Sequence, residues 1–207
     1  MLLTLQKSCL LIVDVQEKLT PSILNHQTLI ENCEWLIRLA RELGVPIHVS
    51  EQYPQGLGKT VMPLQQHIAT SEYSSKVHFS CAADVACREK IFDLERPEIV
   101  IAGIETHVCI LQTAIELKAL GKTVFIVVDA VGSRHELNHR YGLKRMKAEG
   151  IQLVTREMVF FEWLRQAGTP RFKELSKNFL TTKKYTRDLW KCKVIPEYFK
   201  RGRGATK

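Results

Sequence analysis

The feature that most constrains this chain is the alternation of short, almost wholly apolar runs with longer segments of helical periodicity. Runs at 9–15 ("CLLIVDV"), 45–50 ("VPIHVS"), 98–104 ("EIVIAGI"), 122–133 ("KTVFIVVDAVGS") and 151–156 ("IQLVTR") have strand length and are rich in β-branched residues. Between the first two, Leu29, Cys33, Leu36, Ile37, Ala40 and Leu43 recur at three- and four-residue steps, with Gly44 as a stop. That spacing predicts an amphipathic helix. Helices are also predicted over 81–95, 107–121 and 135–149. Strands apolar on both faces need cover on both faces. The expectation is therefore a doubly wound, three-layer α/β/α domain with a mostly parallel sheet of five or six strands.

Sheets of this class bind ligands beyond the carboxyl ends of their strands. The polar residues at those ends are Asp14 with Gln16, Glu51 with Gln52 and Tyr53, Glu105 to Cys109, and Asp129 to His135. Cys109 is the most informative of them. With Thr106 as the cap, it falls in the first turn of a helix, where the positive end of the dipole stabilises a thiolate. The alternative is a buried cysteine acting as a small hydrophobe, the reading given to Cys9 and Cys33. A nucleophile needs a base and an oxyanion site. His107 diverges from Cys109 at a helix start, whereas Asp14 on a neighbouring strand can reach across. Lys76, in "EYSSKVHFSC" (72–81), could supply a cation; taken alone, that segment reads as a loop with a solvated lysine.

The net charge of +8 is unevenly spread: residues 171–207 hold twelve Lys/Arg against three Asp/Glu, leaving 18 against 19 elsewhere. A neutral body, residues 1–170, thus carries a basic extension, 171–207, with Tyr185, Trp190, Tyr198 and Phe199 among its cations. Such interleaving suits nucleic acid or an acidic surface. A solvated extension that packs its aromatics on the body or on another subunit is the favoured reading. There is no apolar run of membrane length. The six cysteines include no C-x-x-C pair, and no leader pattern precedes them, so reduced thiols in a cytoplasmic setting are expected.

Three motifs, "LLIVDVQ" (10–16), "SSKVHFSC" (74–81) and "IAGIETHVCI" (101–110), resemble those of the isochorismatase-like cysteine hydrolases, a likeness covering residues 5–165. "SEQYPQGLGKTV" (50–61) further resembles the small isochorismatase-domain subgroup. The resemblance implies a triad of Asp14, Lys76 and Cys109 that hydrolyses a small non-peptide amide through a thioester. It also implies a cis peptide between Ile104 and Glu105, with the amides of Glu105 and Cys109 facing the oxyanion. Gln16, Glu51, Tyr53, Phe79 and Thr106 are the expected substrate contacts, and a homo-oligomer (dimer or tetramer) is the expected assembly. Relatives that bind a metal do so through histidines after the second strand. Here "VSEQYPQG" (49–56) has none, so neither metal nor cofactor is expected. The competing class is a low-turnover binding or scaffold protein working through its basic segment.

Three features invite other readings. "GLGKT" (56–60) lacks the earlier glycine of a phosphate loop, because Tyr53 stands there. His135 and His139 have i, i+4 spacing but no third ligand, and read as a solvated helix face. Trp163 is placed at a subunit contact.

Overall fold

The computed structural model describes residues 1–180. Six strands form one parallel sheet in the order β3-β2-β1-β4-β5-β6: β1 (Ser8–Val13), β2 (Ile47–Gln52), β3 (Tyr73–Lys76), β4 (Glu98–Ile104), β5 (Thr123–Gly132) and β6 (Gln152–Val154). β1 and β4, whose residues are all buried, lie at the centre, which is why their sequences read as continuous apolar runs. One face is covered by α1 (His26–Leu43), α7 (Arg156–Leu164) and α8 (Pro170–Phe179), around Leu36, Ile37, Phe160 and Leu175. The other is covered by α4 (Val85–Asp93), α5 (Leu111–Ala119) and α6 (Glu136–Ala148), around Ile91, Ile110, Leu117 and Met146.

The strand order reverses between β1 and β4. Chain leaving β1 crosses toward β2 and β3, and chain leaving β4 crosses toward β5 and β6. Their carboxyl ends therefore diverge and open a crevice, the switch point of such sheets. The two strands approach closely there. Gly103 pairs with Val13, and a Cβ on Gly103 would lie 2.1 Å from the Val13 carbonyl oxygen. Gly103 also has φ 122°, a conformation that L side chains avoid.

Several elements depart from the sequence expectations. β3 lies where a loop was expected, since Tyr73-Ser74-Ser75-Lys76 shows no apolar alternation. "EQYPQGLGKTVMP" (51–63), expected as a loop, begins in β2, contains the single-turn helix α2 (Pro54–Leu57) and ends in the first residues of another, α3 (Met62–Gln65). Trp163 is 2% exposed inside this chain's own core, and its indole N–H donates to Ser8 Oγ at 3.0 Å. It is not at a subunit contact, because α7, packed against β5 and α1, turns it into the core. The start of the 171–207 segment packs on the body: Leu175 is buried, and Trp35 Nε1 donates to the Phe179 carbonyl at 3.1 Å. Tyr185, Trp190, Tyr198 and Phe199 lie outside the described residues.

His48, near the start of β2, is 2% exposed and its Nε2 has no hydrogen-bond partner among the described residues. Burial holds its pKa down to about 4, helped by the Lys90 ammonium. The unfolded chain therefore protonates His48 near pH 6.5 while the folded chain resists until about 4, so stability falls on acidification across that window. The expected loss from this group is about 3 kcal/mol. His48→Gln should flatten the slope between pH 6.5 and 4, read from urea midpoints at each pH.

Candidate active site

Three strand ends build the site. Asp14 directly follows β1 and takes a left-handed conformation, φ 55°, which turns the chain out of the sheet. Its carboxylate is 1% exposed and fully engaged: Lys76 Nζ donates to Oδ2 at 2.6 Å and Ser50 Oγ donates to Oδ1 at 2.7 Å. The Cys109 thiol lies within hydrogen-bonding reach of the same carboxylate. Lys76 closes β3 with its side chain 0% exposed, and it also donates to Gln52 Oε1 at 2.7 Å. Gln52 Nε2 in turn donates to the Val77 carbonyl at 2.8 Å, fixing the ammonium's approach. Asp14, Lys76 and Cys109, named from three separate motifs, thus meet in one buried cluster.

Ser50 was not among the expected site residues, and Gln52 was named only as a polar residue at a strand end. They alternate with apolar Val49 along β2 and face the same side as His48. Polar residues at period two near a strand's carboxyl end are a signal the sequence does carry.

The Ile104–Glu105 peptide bond is cis. The chain then makes a widened turn, Thr106–Ile110, in which the Ile110 amide donates to the Glu105 carbonyl five residues back at 3.2 Å. Cys109, 7% exposed, lies in this turn ahead of α5. Thr106 does not cap a helix. Its hydroxyl is buried and sits 2.9 Å from His139 Nδ1. His139 is accordingly half-buried behind the turn rather than on a solvated face. Gly142 lets α6 close on the turn, because a Cβ there would lie 3.1 Å from His107 Cα. His107 Nδ1 lies 3.0 Å from Ser133 Oγ, and the Glu105 carboxylate is held by the Arg134 amide (3.0 Å) and Nε (3.1 Å).

The other expected contacts divide. Gln16 is buried with its amide spent on the Gln52 and Gly58 carbonyls, at 3.0 and 2.7 Å, while its Oε1 accepts from the Gln52 amide. Glu51 accepts from the Thr60 amide and hydroxyl at 2.7 and 2.8 Å. Both fasten the loop containing "GLGKT", and with Thr106 they are occupied by the fold rather than turned to a ligand. Tyr53 and Phe79 are more than half exposed near Lys76, and the Tyr53 amide donates to the Lys76 carbonyl at 2.9 Å. Trp163 lies across the sheet, in the opposite core. No three His, Cys, Asp or Glu side chains among the described residues are grouped as metal ligands.

The electrostatics differ from the helix-dipole expectation. Burial pushes the Cys109 thiol up, and the adjacent Asp14 charge adds to the rise, with Lys76 opposing only in part. Burial likewise raises Asp14, and its bonds from Lys76, Ser50 and Cys109 pull it partly back. Burial alone would depress Lys76, but Asp14 and the Cys81 and Cys109 sulfurs hold it raised and cationic. The cluster at rest is therefore a protonated thiol facing a carboxylate bound to an ammonium. Such a carboxylate can accept the thiol proton as the sulfur attacks.

A six-stranded parallel sheet between two helical layers, with this cluster at its switch point, defines an α/β protein of the isochorismatase-like type. Residues 8–158 match the Isochorismatase domain model, and the chain belongs to that family. It is 36% identical over 174 residues to mouse isochorismatase domain-containing protein 2A, covering 83% of this chain and 82% of the relative. The MAR1 ribonuclease structure from Caenorhabditis elegans superposes with TM-score 0.82 at 32% identity, covering 95% of this chain and 98% of that one. Escherichia coli YcaC, an octameric hydrolase of unknown specificity, shares the fold at TM-score 0.77 and 23% identity, covering 87% and 98%. Family membership supports a hydrolase function. No helix among the described residues is long and apolar enough to cross a membrane.

Removing one member of a buried ion pair leaves the other charge uncompensated. Lys76→Met is expected to cost about 3–5 kcal/mol at pH 7, measured by urea unfolding. Asp14 would then be raised further, so acidification toward pH 5 should protonate it and recover part of the loss.

Proposed function

We propose that this protein is a cysteine-dependent hydrolase of a small non-peptide amide, acting through a thioester. The observation that carries the reading is the Asp14 carboxylate buried between the Lys76 ammonium and the Cys109 thiol. Asp14 takes the thiol proton as Cys109 Sγ attacks the carbonyl carbon. The oxyanion is received by the amides of Glu105 and Cys109. Collapse breaks the C–N bond, and protonated Asp14 returns its proton to the departing amine. A water molecule, deprotonated by Asp14, then attacks the thioester and releases the acid and the Cys109 thiol. Lys76 stays cationic throughout and keeps Asp14 ionised for each proton transfer. Tyr53 and Phe79 supply the apolar contact for the substrate. Self-association as a dimer or tetramer belongs to the same reading and is checked by sedimentation.

Nucleic-acid binding is the second reading, favoured by one structural neighbour and by the charge of the C-terminal segment. The C. elegans neighbour is called a ribonuclease, and the segment from 171 on is strongly basic. On that reading the chain binds nucleic acid through the segment, and deleting 181–207 removes salt-sensitive RNA binding while Cys109→Ala leaves it intact.

Cys109→Ala is expected to lower amide turnover by at least about 10³-fold, and Asp14→Asn by roughly 10²–10⁴-fold, in a screen of small amides. The acid limb of the rate should lie above the ordinary aspartate value of about 3.9, because burial raises Asp14. Alkylation of Cys109, followed against pH by peptide mass spectrometry, should trace the same limb and change in Asp14→Asn and Lys76→Ala. A Cys109 that alkylates like an ordinary thiol, unmoved by both changes, would remove the mechanism.

A further inference from the structure

Behind the turn that carries Cys109 lies a polar contact that the proposed chemistry does not use. Three side-chain contacts join residues 105–107 to the chain beyond β5. Two of them lie toward solvent: Glu105 with Arg134, whose side chain is 56% exposed, and His107 with Ser133. The third is internal. Thr106 is 0% exposed, and its hydroxyl sits 2.9 Å from Nδ1 of the half-buried His139. Among the described residues that hydroxyl has no second partner. Three residues further along α6, Gly142 closes on the same turn, where a Cβ would lie 3.1 Å from His107 Cα and 3.2 Å from the Thr106 carbonyl oxygen.

The turn itself is wide. The Val108 and Ile110 amides both donate to the Glu105 carbonyl, at 3.0 and 3.2 Å. Such five-residue turns occur mostly as single bulges at functional sites, and tighter α-winding is the local alternative. Winding the turn tighter would re-aim the Cys109 amide, so a contact from outside must hold the width. The bond from Thr106 to His139 ties the first residue of the turn to a separate helix. It also falls between Glu105 and Cys109, whose amides receive the oxyanion in the proposed function. Burial strengthens a hydrogen bond of this kind.

We propose that His139 is a positioning residue for the oxyanion amides, acting through Thr106 to hold the wide turn open. The inference rests on the thioester reading of the proposed function. Its consequence is that two reactions of one thiol come apart. Iodoacetamide gives up iodide at a saturated carbon and forms no oxyanion, so alkylation draws on Cys109 and Asp14 alone. Acetylation by p-nitrophenyl acetate passes through a tetrahedral oxyanion and needs the amides as well. There the Cys109 sulfur attacks the acetyl carbon, its proton passes to Asp14, and the bond to p-nitrophenolate breaks as the thioester forms.

The test measures both rates on the full-length chain at pH 7, from p-nitrophenolate release and from the modified Cys109 peptide by mass spectrometry. His139→Leu and Thr106→Val are each expected to slow acetylation about 10²-fold while alkylation keeps its wild-type rate. Thr106→Ser and His139→Asn, which keep a polar partner, should recover most of the loss. The double variant should be no slower than either single one, because each removes the same bond. The alkylation profile against pH reports whether the Asp14 cluster is intact in each variant. Thr106→Val, nearly isosteric, carries the test if His139→Leu does not fold. An acetylation-to-alkylation ratio that stays at the wild-type value in Thr106→Val and His139→Leu overturns the positioning role and leaves the proposed function standing. A wild-type Cys109 that takes no acetyl group overturns both.

Discussion

The buried contact between Lys76 and Asp14 organises this molecule. Two opposite charges, both essentially removed from solvent, are tolerable only when each is neutralised by the other and its remaining hydrogen-bonding capacity is met. Ser50 and Gln52 meet it, and both come from the strand that separates β1 from β3. The ion pair thus spans three adjacent strands and sets how far each must run before it ends. Placing the pair at the sheet's carboxyl edge also sets what surrounds it. The crevice between β1 and β4 opens there, and the turn bearing Cys109 is the next piece of chain to arrive.

The packing behind that turn serves its placement. Gly103 brings β4 against β1 just before both strands end, and Gly142 lets α6 approach the turn from behind. Thr106 and His139, His107 and Ser133, and Glu105 and Arg134 join the turn to the segment that follows β5. Residues flanking Cys109 are thus spent on holding its backbone, which leaves the thiol to face the carboxylate. The thiol is held protonated by burial and by Asp14, so its chemistry depends on proton transfer within the cluster rather than on a standing thiolate.

The sequence was legible where physics is local. Asp14 and Cys109 follow apolar strands, and the apolar runs and the 3.6-residue period marked five strands and four helices on which the layers rest. Lys76 was legible only by resemblance, because β3 is four mostly polar residues whose pairing with β2 supplies what propensity does not. Ser50 escaped notice, and Gln52 was marked only as a polar strand end, because a serine and a glutamine on a strand carry no chemistry until a charge is set beside them. Gln16, Glu51 and Thr106 look free in sequence and are bound in the fold, since their partners, in the 52–60 loop and at His139, come from distant or irregular chain. Trp163 faces inward because α7 packs against β5 and α1, a tertiary fact that no window around residue 163 contains.

The position of β3 at the rim of the sheet has a further consequence. An outermost strand four residues long, bonded on one side only, belongs to the part of a fold that opens most readily by itself. It is also the strand that delivers the ammonium. Partial opening at this rim separates Lys76 from Asp14 while β1, β4 and β5 remain zipped. Competence for chemistry and integrity of the core are thus distinct thermodynamic quantities in this protein.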